Sequence, residues 1–174
     1  MYHFTEKQRF TEISFYILLG IIQAIFLWGF IQQVIFEKPW GTNPGSNTTL
    51  ILCNIGILVL ILFIVSITIK TEITEQGISF KMFPFHLTKR TFAWSTIKFI
   101  SVVKYNAIRE YFGWGFRYMP KKGWCYTLSG ECGIKIELMN GKTILIGTHK
   151  ADEIKHILGS LKNKGVIKTP TANQ

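Results

Sequence analysis

The dominant pattern in the chain is continuous apolarity: Leu50 to Ile69, LILCNIGILVLILFIVSITI, holds no charged residue, and Lys70 ends it abruptly. As a helix such a run extends about 30 Å, the thickness of a bilayer's hydrocarbon core. Inside lipid every backbone N–H and C=O must be satisfied within the segment, so a helix is the expected form. Ile13 to Phe36 is a second run without charge, carrying Gln23, Gln32 and Gln33. It is too long for a signal-peptide core and lacks a small-residue cleavage site, so it is expected to stay as a span. The pattern therefore predicts membrane helices over 13–36 and 50–69. Glu37 to Thr49, EKPWGTNPGSNTT, is turn chemistry and is expected as an external loop with Trp40 anchored at the interface. Gly20 and Ala24 are expected to face Asn54 and Gly56, where small residues permit close approach and an amide can bond across the pair. Neither run contains Asp, Glu, Lys, Arg or His, the residues that mark ion or proton pathways.

The flanks of the hairpin read differently. Met1 to Glu12 mixes charges with Phe4 and Phe10 and has two readings, an amphipathic turn among headgroups or a frayed terminus. After Ile69 the pattern shortens to alternating segments. Thr71 to Thr74 and Ile78 to Phe83 flank Glu75, Gln76 and Gly77 as strand, tight turn, strand. Further strands are expected at Phe92 to Trp94, within Ser95 to Val103, around Gly113 to Tyr118, and at Trp124 to Leu128. Ile134, Ile136 and Leu138 alternate with polar residues, and Asn140-Gly141 predicts a type I′ turn before Thr143 to Ile146 returns. Ala151, Ile154, Ile157, Leu158 and Leu161 then recur at helical spacing, with Asp152 and Glu153 in the first turn and Lys162 and Lys164 near the end. Residues 165–174 are expected to form a flexible tail, which leaves 70–164 as a folded domain.

Charge sharpens this division. Of the 20 basic and 10 acidic residues, three of each precede Lys70, so the whole net charge of +10 lies in the polar part. Lys7, Arg9 and Lys70 border the two runs while the intervening loop holds only Lys38, which places both termini on the cytoplasmic side. Cys125 and Cys132 then lie in a reducing compartment, where free thiols are the default, and they have neither a CxxC spacing nor a histidine within a few residues.

Catalytic chemistry finds little support. Asp152 is the single aspartate and falls where a helix start favours an acid. Glu131 and Glu137 make a weak carboxylate pair, since Glu137 is on the outward side of a strand. His149 and Glu153 are spaced to meet on one helical turn, and no P-loop, HExxH or GxSxG occurs. The expectation is a protein that is not an enzyme and carries no metal or cofactor.

The element order, short strands followed by one amphipathic helix, suits a small twisted sheet or partly open barrel closed by that helix. With GWGFRY (Gly113 to Tyr118), GIKIEL (Gly133 to Leu138) and NGKTILIGTHKADEI (Asn140 to Ile154), the chain resembles bacterial membrane proteins that carry a pleckstrin-homology-like domain after a two-helix hairpin. The resemblance implies an α+β membrane protein of the bacterial inner membrane, with a β-barrel or sandwich of about seven strands capped by a C-terminal helix. It carries no biochemical role with it.

Lys81, Lys89, Arg90, Arg117, Lys121 and Lys122 are the candidate residues for anionic lipid headgroups or phosphate, with Trp40 and Trp114 as interface anchors. The competing expectation is that the tryptophans cover the core and the charges keep the domain soluble. A protein partner or a second copy is the other expected contact. Nucleic acid is not expected, because the basic residues are scattered through the sequence.

Overall fold

The structure, a computed structural model, describes residues 3–167. It is an α+β chain with two compact units: a helical unit of residues 11–66, and a β unit whose described parts are residues 3–10 and 67–167.

In the helical unit, α1 (Ile13–Phe30) runs on into a π-helical turn, Ile31–Ile35, and α2 (Asn47–Ser66) returns. Both are long and apolar enough to cross a membrane by length and composition: Ile13–Ile35 has 23 residues and Asn47–Ser66 has 20. The second helix begins and ends three residues earlier than its apolar run. Ser46 Oγ accepts from Thr49 N at 3.2 Å and starts it, while Thr68 and Ile69, both β-branched, are drawn into a strand. A side-chain amide pair joins the helices. Gln23 Nε2 donates to Asn54 Oδ1 at 3.0 Å, and Asn54 Nδ2 donates to the carbonyls of Phe26 and Leu50 at 3.1 and 2.9 Å. The expected close approach at Gly20 and Gly56 is absent, for nothing lies within 4 Å of a Cβ built on either. Gly29 is the crowded glycine, since a Cβ there would meet the Trp40 ring at 2.6 Å.

The β unit has two sheets, with nine strands among the described residues. The first, in order, is β1 (His3–Arg9), β2 (Thr68–Thr74), β3 (Gly77–Phe83) and β4 (Arg90–Ala93), all antiparallel. The second comprises β5 (Ile97–Lys104), β6 (Gly115–Met119), β7 (Gly123–Thr127), β8 (Cys132–Leu138) and β9 (Thr143–Thr148), in the order β5-β8-β9-β7-β6. Only the β7–β9 pairing is parallel. The sheets are not closed into a barrel, and there are more strands than the seven expected.

Four local expectations need correction. Within residues 1–12, for which the sequence offers an amphipathic turn or a frayed end, His3–Arg9 is a strand, burying Phe4, Glu6 and Gln8 on one face. Its partner is β2, on the far side of both helices in the chain, with Arg9 opposite Thr68. The β8–β9 connection is not type I′: of Asn140 and Gly141 only the glycine has positive φ, 79°. Gly141 N donates to Leu138 O at 3.0 Å, so Met139 and Asn140 form the turn and Gly141 supplies the left-handed step. A short helix, α3 (Ala107–Tyr111), stands where no helix was expected. Asn106 Oδ1 accepts from Arg109 N at 2.9 Å and Glu110 Oε1 accepts from Asn106 N at 2.8 Å, a reciprocal cap. Within the expected tail, Ile167 is buried in the core, and residues 168–174 lie outside the described residues.

The main core joins the inner faces of both sheets, from Ile69, Ile73, Phe80 and Met82 to Ile134, Ile136, Tyr126 and Ile146, with Ile154, Leu158 and Leu161 of α4 (Ala151–Asn163). A smaller cluster of Tyr105, Ala107, Tyr111, Cys125 and Leu145 lies where α3 packs on the second sheet.

Two ends of the β unit can be told apart by register alone. Arg9, Thr68 and Phe83 stand side by side at what we call the root, where the chain leaves for the helical unit. The opposite end, the tip, holds the β2–β3 turn and the 3₁₀ turn Trp94–Thr96. Met139 N donates to Thr96 O at 2.9 Å, which puts the β8–β9 turn at the tip too.

Candidate functional site

Strand alternation decides which basic residues meet. On β1, β2 and β3 the outward positions include Lys7, Lys70 and Lys81, and the register sets Lys7 opposite Lys70 and Lys70 opposite Lys81. Three lysines thus share one rung, about 5 Å apart from strand to strand. Arg9 lies two residues further toward the root on the same face of β1. Like charges directly opposite each other oppose pairing. One acid relieves the crowding: Glu72 pairs with Lys70 at 2.9 Å and with Lys89, which together hold its carboxyl at about 2, far below the ordinary 4.5. Lys7 and Lys81 form no ion pair among the described residues.

The six predicted basic residues do not gather into one patch. Lys81 and Lys89 belong to this root-side face. Arg90 opens β4 and donates through Nη1 to the Tyr126 hydroxyl at 3.2 Å. Arg117, on edge strand β6, donates from Nε to the Trp114 carbonyl at 3.2 Å. Lys121 and Lys122 lie in the β6–β7 turn. Lys122 is committed to Glu110, lowering that carboxyl's pKa, and lies 5.1 Å from the Tyr111 ring centre. Lys7 and Lys70, which complete the rung, are not among the predicted residues; the outward positions of HFTEKQR carry the signal for Lys7, legible only when those residues are read as a strand, and register with Lys7 and Lys81 adds Lys70.

The tryptophans are placed as follows. Trp40 packs on α1 at Gly29, with its ring 6.1 Å from Phe26. Trp114 packs against the smaller cluster and meets Phe10 edge-on at 6.4 Å, its Nε1 buried without a partner. It is half-buried, packed on the β unit.

A second feature lies between β4 and the tip ends of β7, β8 and β9. It is a groove of about 350 Å³ lined by Arg90, Phe92, Trp124, Ile144, Asn140 and Lys142, together with Thr91 and Leu138. Its root side is filled by stacked rings: Phe116 lies 5.0 Å from both Trp124 and Tyr126, and Tyr126 lies 4.6 Å from Phe80. His86 is buried among them at 7% exposure with neither ring nitrogen partnered. Burial first, and then the charge of Arg90, lowers its pKa.

The candidate chemical pairs fall apart in three dimensions. His149 does not meet Glu153, which pairs with Lys150 at 2.9 Å. Its Nε2 lies 2.8 Å from Ser129 Oγ, but Ser129 is buried, so that hydroxyl is not open to a substrate. Glu137 pairs with Lys135 at 2.9 Å, a solvated strand pair. Cys125 is buried, which raises its thiol to about 11 and keeps it protonated.

No family model matches the chain, and no curated protein matches it either.

Proposed function

We propose that the chain is a membrane-anchored recognition module. Its two helices span the bilayer, and its β unit, pleckstrin-homology-like in element order, meets anionic lipid headgroups at the cytoplasmic leaflet through its root-side face. The observation that carries this reading is the lysine rung, Lys7, Lys70 and Lys81, on the two strands where the chain enters and leaves the helical unit and on their neighbour. Each basic group near an anionic leaflet contributes about 1 kcal/mol, so the rung with Arg9 and Lys89 is the natural counterpart of such a surface. Lipid phosphate also supplies what the rung lacks, since among the described residues only Lys70 of its three lysines is paired with a carboxylate. The function is binding, with no catalytic step assigned.

The test uses the full chain in nanodiscs. Raising the phosphatidylserine fraction is expected to raise the unfolding temperature of the β unit, because a ligand that binds only the folded state stabilises it. The gain should shrink with added salt. The triple substitution Lys7→Ala, Lys70→Ala, Lys81→Ala is expected to abolish it. Equal unfolding temperatures in neutral and anionic discs would reject lipid binding.

The groove favours a second reading, a regulatory subunit that grips an acidic protein segment. Arg90 and Lys142 flank an apolar floor near the tip, at the opposite end from Arg9 and Thr68. Retention of a polyglutamate peptide, lost on Arg90→Ala with Lys142→Ala, would identify that use.

A further inference from the structure

The stretch Phe83 to Leu87, the last residue of β3 and the first four of the β3–β4 loop, reads FPFHL, an apolar sequence where a solvated turn needs polar residues. Its one polar side chain is turned inward: His86 N donates to Met82 O at 2.6 Å, and the ring packs 5.6 Å from Phe80 and 5.2 Å from Tyr126. That leaves the apolar side chains outside, with Phe83 44%, Phe85 47% and Leu87 80% exposed. The loop is not slack, since Phe85 lies 6.0 Å from Phe116 and is held beside the ring stack.

Its place in the fold says what covers it. Phe83 is the root residue of β3, directly opposite Thr68. Thr68 follows Ser66, the last residue of α2, by two residues, which extended chain covers in about 7 Å. Lys81 precedes these residues and Lys89, bonded to Glu72, follows them, so basic groups flank three apolar side chains, with Lys81 able to reach headgroup phosphates. We infer that Phe83, Phe85 and Leu87 enter the headgroup–acyl boundary of the same bilayer leaflet, a membrane contact additional to the two helices. This rests on the reading that α1 and α2 span the bilayer.

The experiment places an environment-sensitive fluorescent amino acid at one position at a time in the full chain, reconstituted in nanodiscs. The positions are Leu87, Met139 at the tip as an exposed control, and Leu58 in α2. Quenching by brominated acyl chains and by aqueous iodide is then read. The expected result is quenching by brominated lipid and loss of iodide quenching at Leu87, as at Leu58, with the reverse at Met139. Leu58 in lipid but Leu87 quenched by iodide like Met139 overturns the loop's insertion and leaves the spanning helices standing. Leu58 itself quenched by iodide overturns the spanning reading and this inference with it. Protection at Leu87 from both quenchers means that protein covers the loop, and it also overturns the inference.

Discussion

A single carboxylate, Glu72, offsets the charge of the middle lysine of the rung, Lys70. Glu72 is bonded by Lys89 and Lys70, and its pKa of about 2 marks how strongly its charged form is favoured in the fold. The sign follows directly. Unfolded, Glu72 takes up a proton near its ordinary 4.5 while the folded state still refuses one, so its contribution is complete above 4.5 and is lost as pH falls toward about 2. His86 acts in a different window. Its lowered pKa means the unfolded chain binds a proton first, so stability declines as pH drops below the ordinary histidine value of 6.5. Thermal unfolding from neutral to acid pH should therefore show two losses in the wild-type protein. Glu72→Gln should keep the higher-pH loss and lack its share of the lower one; an unchanged acid limb would remove Glu72 from this role. Both lysines are about half exposed, so salt should shrink the Glu72 share.

Among the elements, β1 depends on chain far from it in sequence, since its strand partner lies beyond both helices. Its edge is held by side chains as well as by the ladder. Glu6, 5% exposed, accepts from Thr148 Oγ1 at 2.6 Å and from His149 N at 2.8 Å, and Gln8 Nε2 donates to Gly147 O at 2.6 Å. Glu6→Ala should leave two donors without their acceptor, a cost of about 1–3 kcal/mol each if they stay buried. Urea unfolding should show the loss, and hydrogen exchange should show it concentrated in β1 and the start of α4; unchanged exchange there would mean the clamp carries nothing. A segment starting at Lys70 lacks this strand and Ile69, so it would expose the β2 edge and part of the core.

The same strand marks the limit of what the sequence shows. The two apolar runs, the β8–β9 hairpin and α4 are legible because their periodicity is local and their buried positions are apolar. In HFTEKQR the period of two is present, but the buried positions are Phe4, Glu6 and Gln8, so hydrophobicity alone reads it as a mixed-charge lead. The partners of Glu6 and Gln8 lie beyond both helices, and no local rule supplies them. The NAIRE sequence of α3 did hold a capping signal, although five residues give too little apolar repeat to notice. The rung and the groove were harder still. Each depends on register between strands, as where Arg90 and Lys142 reach one cavity from opposite sheets.

For the whole molecule, β1 before the first helix and β2 after the second lie side by side with Arg9 opposite Thr68. A chain inserted between two paired strands must leave and return on one side of any bilayer it crosses. An even number of spans meets that condition, and the proposed crossing by the two helices, each long and apolar enough, would provide it. The amide bonds of Gln23 and Asn54, made within apolar surroundings, give those helices a fixed pairing. On the proposed spanning reading, with the whole net charge in the polar part and Lys70 at the root, the β unit is expected to be cytoplasmic. In intact cells an impermeant maleimide should label Thr42→Cys in the connecting loop, and should label Asn140→Cys at the tip only after the membrane is permeabilised. The opposite pattern would reverse the orientation while keeping two spans. Equal labelling of both positions without permeabilisation would mean that the helices do not cross, and the paired strands would then have to be explained by a hairpin lying on one face.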